Sequence, residues 1–126
     1  MTVVVDGNNV IGTVPDGWWR DRRAAARRLL VRLQCLCART GAEVVLVLDV
    51  VDPELPEGDH SGVAVHYATR RGPNAADDRI RELVAARAPQ ALEVVTSDRA
   101  LAADVAGAAQ VVSAKAFLAR LDELGC

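Results

Sequence analysis

Short apolar runs alternate with longer stretches of helical spacing along most of the chain. Val3-Val4-Val5 is a β-branched run that reads as a buried strand over residues 2–5, closed by Asp6 and broken by Gly7. Trp18 to Thr40 reads as one long helix, with Leu29, Leu33 and Leu36 near helical spacing and Gly41 as its stop. Residues 43–48 form a second buried strand that ends on Asp49, and residues 63–67 a weaker third. A helix is expected from Asn74 to about Ala88, with Ile80, Leu83 and Val84 facing inward. Residues 92–95 form a fourth strand ending on Thr96-Ser97-Asp98, followed by a short helix over 98–106, a fifth strand over 110–112 and a closing helix over 114–124. Strands that alternate with helices are best accommodated in one mainly parallel sheet covered on both faces. The polar segment 51–62, with Pro53, Pro56 and Gly58, is the one place where a mobile flap is expected.

Composition narrows this picture. A length of 126 residues fits a single domain over 1–126, large enough to bury about two thirds of its unfolded surface. Only 3% of residues are aromatic, so the core must be built from Val, Leu and Ala. So few rings also argue against a stacking platform for single strands. The net charge of −2 does not suggest non-specific nucleic-acid binding, although clustered site carboxylates lower a net charge without making the whole surface acidic. Cys35 and Cys37 are two apart on the expected helix and do not face each other, so free thiols in a reducing cytoplasm are expected rather than a disulfide or a metal site. No signal peptide is expected before Asp6, and no apolar stretch approaches the ~20 residues of a membrane span. Trp18 and Trp19 are expected to pack inward, with a surface patch or lid as the alternative.

The candidate chemistry lies in the acids. Asp6, Asp49 and Asp98 each close a predicted strand, and Asp77-Asp78 lie in the first turn of the helix that starts near Asn74. Parallel strands put their carboxyl ends on one edge of the sheet, where ligands bind. Carboxylates gathered there repel one another and raise one another's pKa, and a divalent cation with a preference for oxygen ligands resolves that conflict. Each acid also has a plain structural reading. Asp6 can cap a turn through Gly7, Asp77 and Asp78 suit the positive end of a helix dipole, Asp98 can be an N-cap, and Asp49 can serve a turn. Only the joint pattern lifts them towards a site for metal-assisted phosphodiester hydrolysis.

Four segments occur in a telling order: Val-Val-Asp-Gly-Asn-Asn-Val-Ile at 4–11, Val-Leu-Asp at 47–49, Asn-Ala-Ala-Asp-Asp-Arg-Ile at 74–80 and Thr-Ser-Asp-Arg-Ala-Leu at 96–101. Together they resemble the NYN domain family, in its YacP-like branch, within the PIN-like nuclease superfamily. That resemblance implies a three-layer α/β sandwich with a mainly parallel five-stranded sheet of order 3-2-1-4-5 and helices on both faces. It also implies a ribonuclease, expected to be an endonuclease, dependent on Mg²⁺ or Mn²⁺. Carried over by motif, Asp6, Asp77 and Asp98 would be the metal ligands and catalytic acids, with Asp78 a close second to Asp77. Asn8 would position the scissile phosphate or a water, and Asp49 would support Asn8 or the metal's waters. Ser97 would orient Asp98, and Asn9 and Ser97 would contact substrate.

RNA is then the expected partner, with no membrane involved. Arg70 and Arg71, just before the Asp77 turn, are the best candidates for phosphate contacts, whereas the arginines from Arg20 to Arg32 read first as a solvated helix face. His60 and His66 read as structural or exposed. Two other readings use similar features. A non-catalytic RNA-binding or scaffold protein would keep the fold, but the full set of acids counts against it. A receiver-type phosphoacceptor would use Lys115 and acids at strand ends, but Asp6 lacks the adjacent acidic partner that such a site needs. The sequence leaves open whether a ribosome or another protein presents the RNA, and whether the chain pairs as a homodimer.

Overall fold

The computed structural model of the chain describes residues 1–69, 72, 74–87 and 91–126. In chain order the elements are β1 (Thr2–Asp6), α1 (Gly7–Thr13), a 3-10 turn (Trp18–Arg20), α2 (Arg22–Thr40), β2 (Glu43–Leu48), β3 (Gly58–His60), β4 (Val63–Tyr67), α3 (Ala75–Arg87), β5 (Leu92–Val95), α4 (Arg99–Val105), β6 (Gln110–Val112) and α5 (Ala114–Glu123). The expected helix end at Ala88 lies outside the described residues. The sheet order is β3-β4-β2-β1-β5-β6. Every pairing is parallel except that of β3 with β4. The five expected strands thus take the expected order, and a sixth is added at the edge. That strand, Gly58-Asp59-His60, carries no apolar pattern, and its pairing with β4 comes from the tertiary fold.

Side-chain alternation along the strands builds two cores. Val3 and Val5 of β1, with Val44, Leu46 and Leu48 of β2, face a layer that includes Val10, Leu29, Leu33, Phe117 and Leu121. Val4, Val45 and Val47 face the opposite layer with Ile80, Leu83 and Leu101. Helices α1, α2 and α5 therefore cover one face, and α3 and α4 the other. Each fully buried Val or Leu contributes about 1.5–3 kcal/mol, so the strands owe their stability to being covered twice.

Four expectations are corrected. First, Gly7 does not end β1 in a loop but opens α1, which buries Val10 and Ile11. A Cβ on Gly7 would lie 2.7 Å from the Val47 carbonyl oxygen and 2.7 Å from Leu48 Cδ2, so only glycine lets α1 seat against β2. Second, the long helix does not start at Trp18. Asp21 caps α2 by accepting from the Ala24 amide at 3.0 Å, which separates the 3-10 turn and leaves Trp19 60% exposed and Trp18 half-buried.

Third, the 51–62 segment is a strap pinned at several points rather than a free flap. Asp52 is held by Arg27, Tyr67 donates to the Leu55 carbonyl at 2.6 Å, the Tyr67 amide donates to Glu57 at 2.8 Å, and the His60 ring bonds the Pro56 carbonyl at 2.6 Å. Fourth, the cysteines are not all free. Cys35 and Cys126 form a disulfide with Cα atoms 5.6 Å apart, while Cys37 remains a thiol. The partners are 91 residues apart, so local spacing holds no trace of the pairing. Among the described residues no helix is long and apolar enough to cross a membrane.

Candidate functional site

The register of β1 fixes the site. Asp6 lies opposite Val47 of β2, and Val5 lies opposite Val95 of β5, so the chain leaving β5 at Thr96 runs beside Asp6. The Thr96 hydroxyl donates to Asp6 Oδ2 at 2.9 Å and accepts from the Asp98 amide at 3.1 Å. One buried hydroxyl thus ties two of the acids into one arrangement. Asp98 in turn caps α4, its Oδ1 accepting from the Leu101 amide at 3.0 Å. Asn74, in the left-handed region at φ 61°, precedes α3, whose first turn carries Asp77. Asparagine tolerates that conformation better than most residues.

These elements enclose an open cleft of about 380 Å³ at the carboxyl edge of the sheet. Asp6, Asn8, Asp49, Asp77 and Asp98 all line it, together with Asn9 and Asn74. The topology puts β5 beside β1, and the start of α3 lies at the same edge, which is how acids 92 residues apart come to share one space.

Asp6 is buried, with 4% of its surface exposed. Its pKa is pushed up from 3.8 to about 6, first by burial and then by the nearby charges of Asp77 and Asp98. The Thr96 hydroxyl and the Asn9 amide only partly offset this. Asp77 is raised as well, by burial first and then by Asp98. The two shifts describe the same crowding from two sides.

The remaining candidates fall into distinct places. Asn9 Oδ1 accepts from the Ser97 amide at 2.7 Å, and Ser97 Oγ accepts from the Ala114 amide at 2.9 Å. Both side chains therefore stitch α1, the loop after β5 and α5 together around the cleft. Asp78 pairs with Arg81 at 3.0 Å, Arg81 also holds Asp104 at 2.8 Å, and Asp78 does not line the cleft. Arg70 and Arg71 lie outside the described residues. His66 receives a hydrogen bond from Arg79 at 3.2 Å on Nδ1, and burial, followed by the Arg79 charge, holds its pKa down. Thr96 and Asn74 are the site residues that sequence reasoning passed over. The one available signal for Thr96 was its place immediately after a buried strand and before two site candidates.

Among the described residues the cleft offers carboxylate and amide oxygens and no Cys or His, the donor chemistry of a hard cation such as Mg²⁺ or Mn²⁺. Its crowded carboxylates are the feature that such a cation would relieve. Among the described residues, no three His, Cys, Asp or Glu side chains are drawn together as a ready-made metal shell. Mg²⁺ keeps several waters and does not require one.

The sequence model of the YacP-like NYN domain matches residues 3–125. The fold is also that of Rae1 (YacP) from Bacillus subtilis. That crystal structure is 26% identical, with a TM-score of 0.81 over 99% of this chain and 75% of that one. The W164L mutant of the same protein is 24% identical, with a TM-score of 0.81 over 98% of this chain and 76% of that one. No curated protein matches the chain. A fold shared over nearly the whole length and a family match from the first strand past the last helix lead to one assignment: the chain belongs to the YacP-like NYN domain family, a group of PIN-like nuclease domains.

Proposed function

We propose that this protein is a metal-dependent ribonuclease that hydrolyses RNA phosphodiester bonds internally, in the cleft lined by Asp6, Asp77 and Asp98. One observation carries the reading. Three carboxylates are buried among the described residues: Asp6, Asp52 and Glu93. Asp52 pairs with Arg27 and Glu93 with Arg120. Asp6 meets no arginine among the described residues and instead faces two further carboxylates. A buried carboxylate with no counter-charge among the described residues suits a charge brought in from outside.

Asp6, Asp77 and Asp98 would hold Mg²⁺ or Mn²⁺. Such an ion, when bound, supplies polarisation of a phosphoryl oxygen and a water of lowered pKa. The chain's own residues supply the rest. Thr96 fixes the Asp6 carboxylate and the Asp98 backbone relative to each other. The Asn8 amide, in the first turn of α1 and lining the cleft, would hold a phosphate oxygen or the attacking water. Asp49, exposed just after β2 and also lining the cleft, would accept hydrogen bonds from the ion's waters.

The test is cleavage of labelled single-stranded and structured RNAs in Mg²⁺, Mn²⁺ or EDTA, beside Asp6→Asn and Asp98→Asn. Cleavage is expected with metal and not with EDTA. Each variant is expected to lose more than the roughly 10–100-fold typical of removing a supporting hydrogen bond. Equal cleavage by both variants and the parent would sink the assigned site. RNA binding without cleavage under every condition would instead identify a non-catalytic RNA-binding domain.

A further inference from the structure

A second cavity adjoins the acid cleft on the α1 and α2 side. It measures about 180 Å³, and Trp18, Arg22, Arg23 and Asp52 contribute to its walls. Asn8 and Asp49 line both spaces, so the two adjoin across those residues. That volume is on the scale of one flat ring system rather than of a whole oligonucleotide.

The charges around it are unevenly matched. Along α2, Arg27 pairs with Asp52 and Glu54, Arg28 with Asp16, and Arg32 with Asp122. Among the described residues Arg22 and Arg23 have no ion-pair partner, and both line this cavity. Arg23 acts on Asp52 only as a more distant charge, and Asp52 already has Arg27 at 2.7 Å. The Arg22 guanidinium lies 5.5 Å from the centre of the Trp18 ring. Trp18 is half-buried where it packs on the core and half-open where it faces the cavity. A half-open indole with one guanidinium against its ring and a second beside it, neither in an ion pair among the described residues, is a site for a flat ring joined to anionic groups.

Building on the ribonuclease reading, we infer that this cavity is a nucleobase subsite for single-stranded RNA. Trp18 contacts one base next to the scissile position, and Arg22 and Arg23 hold the phosphates that flank it. A single ring serves one base, which reconciles the subsite with a chain whose aromatic residues make up only 3%. The arrangement favours a strand whose bases are unstacked and disfavours a duplex, whose bases are not free to enter.

The test uses a short labelled oligoadenylate RNA and the cleavage-dead Asp6→Asn protein. With Trp19→Phe added, Trp18 is the only indole, and RNA is expected to quench its fluorescence; an unchanged signal at saturating RNA overturns the subsite. Trp18→Ala is expected to weaken binding about tenfold, and Trp18→Phe to restore most of it. An otherwise identical strand with abasic sites should bind equally well with Trp18 present and after Trp18→Ala; a base-free strand that still discriminates between the two proteins overturns the base contact. The surface double variant Arg22→Ala/Arg23→Ala does not depend on the core packing of Trp18. It should make the slope of log affinity against log salt shallower by about 1.4, about 0.7 for each phosphate no longer neutralised. An unchanged slope overturns the phosphate assignment. The outcomes separate this inference from the reading beneath it. Quenching by RNA with no cleavage by the parent protein would leave the subsite standing and sink the ribonuclease, whereas cleavage without quenching would do the reverse.

Discussion

Asp6 and Asp52 are almost equally hidden, at 4% and 3% exposed, yet they belong to opposite kinds of region. Asp52, in the strap after β2, receives Arg27 Nε at 2.8 Å and the Glu54 amide at 3.0 Å. Burial pushes its pKa up, but those hydrogen bonds and the Arg27 charge more than reverse this and hold it below its usual value. Asp6, at the end of β1, has the Thr96 hydroxyl and two neighbouring carboxylates, and its pKa rises to about 6. Burial is therefore not what marks a site. What separates them among the described residues is a counter-charge: Asp52 has Arg27 and ties the strap to α2, whereas Asp6 faces Asp77 and Asp98.

Three measurements can break or sharpen this contrast. The largest effect is expected at Thr96. Thr96→Val keeps the shape but removes the hydroxyl that joins Asp6 to the Asp98 backbone. Cleavage should fall about 10–100-fold, the usual cost of removing such a supporting hydrogen bond. Because that hydroxyl lowers the Asp6 pKa, the acid limb of the pH–rate profile should also move to higher pH. Thr96→Ser should recover both. A loss of rate with no movement of the acid limb would reduce Thr96 to a packing residue.

The second effect is on stability and has a definite sign. Asp6 is harder to ionise in the folded protein than in the unfolded chain. Below about pH 4 both states are protonated, and the group contributes nothing. As pH rises towards 6 the unfolded chain releases its proton first, so folding loses stability, and above about 6 the penalty is complete. In EDTA at neutral pH, Asp6→Asn should therefore be more stable than the parent by about 1–3 kcal/mol, with the difference closing towards pH 4. A parent that is the more stable of the two at neutral pH would contradict the contrast with Asp52.

The smallest effect is expected at the paired acid. Arg27→Ala should lower the melting temperature by several degrees, because it strands a buried carboxylate, while leaving the cleavage rate of the folded protein unchanged. A melting temperature equal to the parent's would mean that the Asp52 pair does not hold the strap.

The acids were legible in the chain because the signal was local. A β-branched run that stops on Asp6, a leucine-valine run that stops on Asp49 and a strand that stops on Thr96-Ser97-Asp98 all put polar residues where parallel strands end. The same locality explains what was missed. Helix α1 consists of only seven residues and follows β1 without a break, so Gly7 reads as a stop until its 2.7 Å approach to the Val47 carbonyl is seen. Strand β3 has no apolar period and exists through its pairing with β4. Asp77 and Asp78 are neighbours with the same helix-start chemistry. Their difference depends on what surrounds them: Asp77 lines the cleft, and Asp78 pairs with Arg81.

What the sequence determined by itself was most of the succession of elements, one mainly parallel sheet covered on both faces and the edge at which the acids gather. Each of these follows from apolar period and strand-end composition, which are properties of neighbouring residues. Which acids share a space, which are neutralised by arginine, and which cysteine finds a partner 91 residues away were decided only by the tertiary structure. Those outcomes depend on through-space distance and burial, and the free energy of a charge depends on both far more than on the residues beside it in the chain.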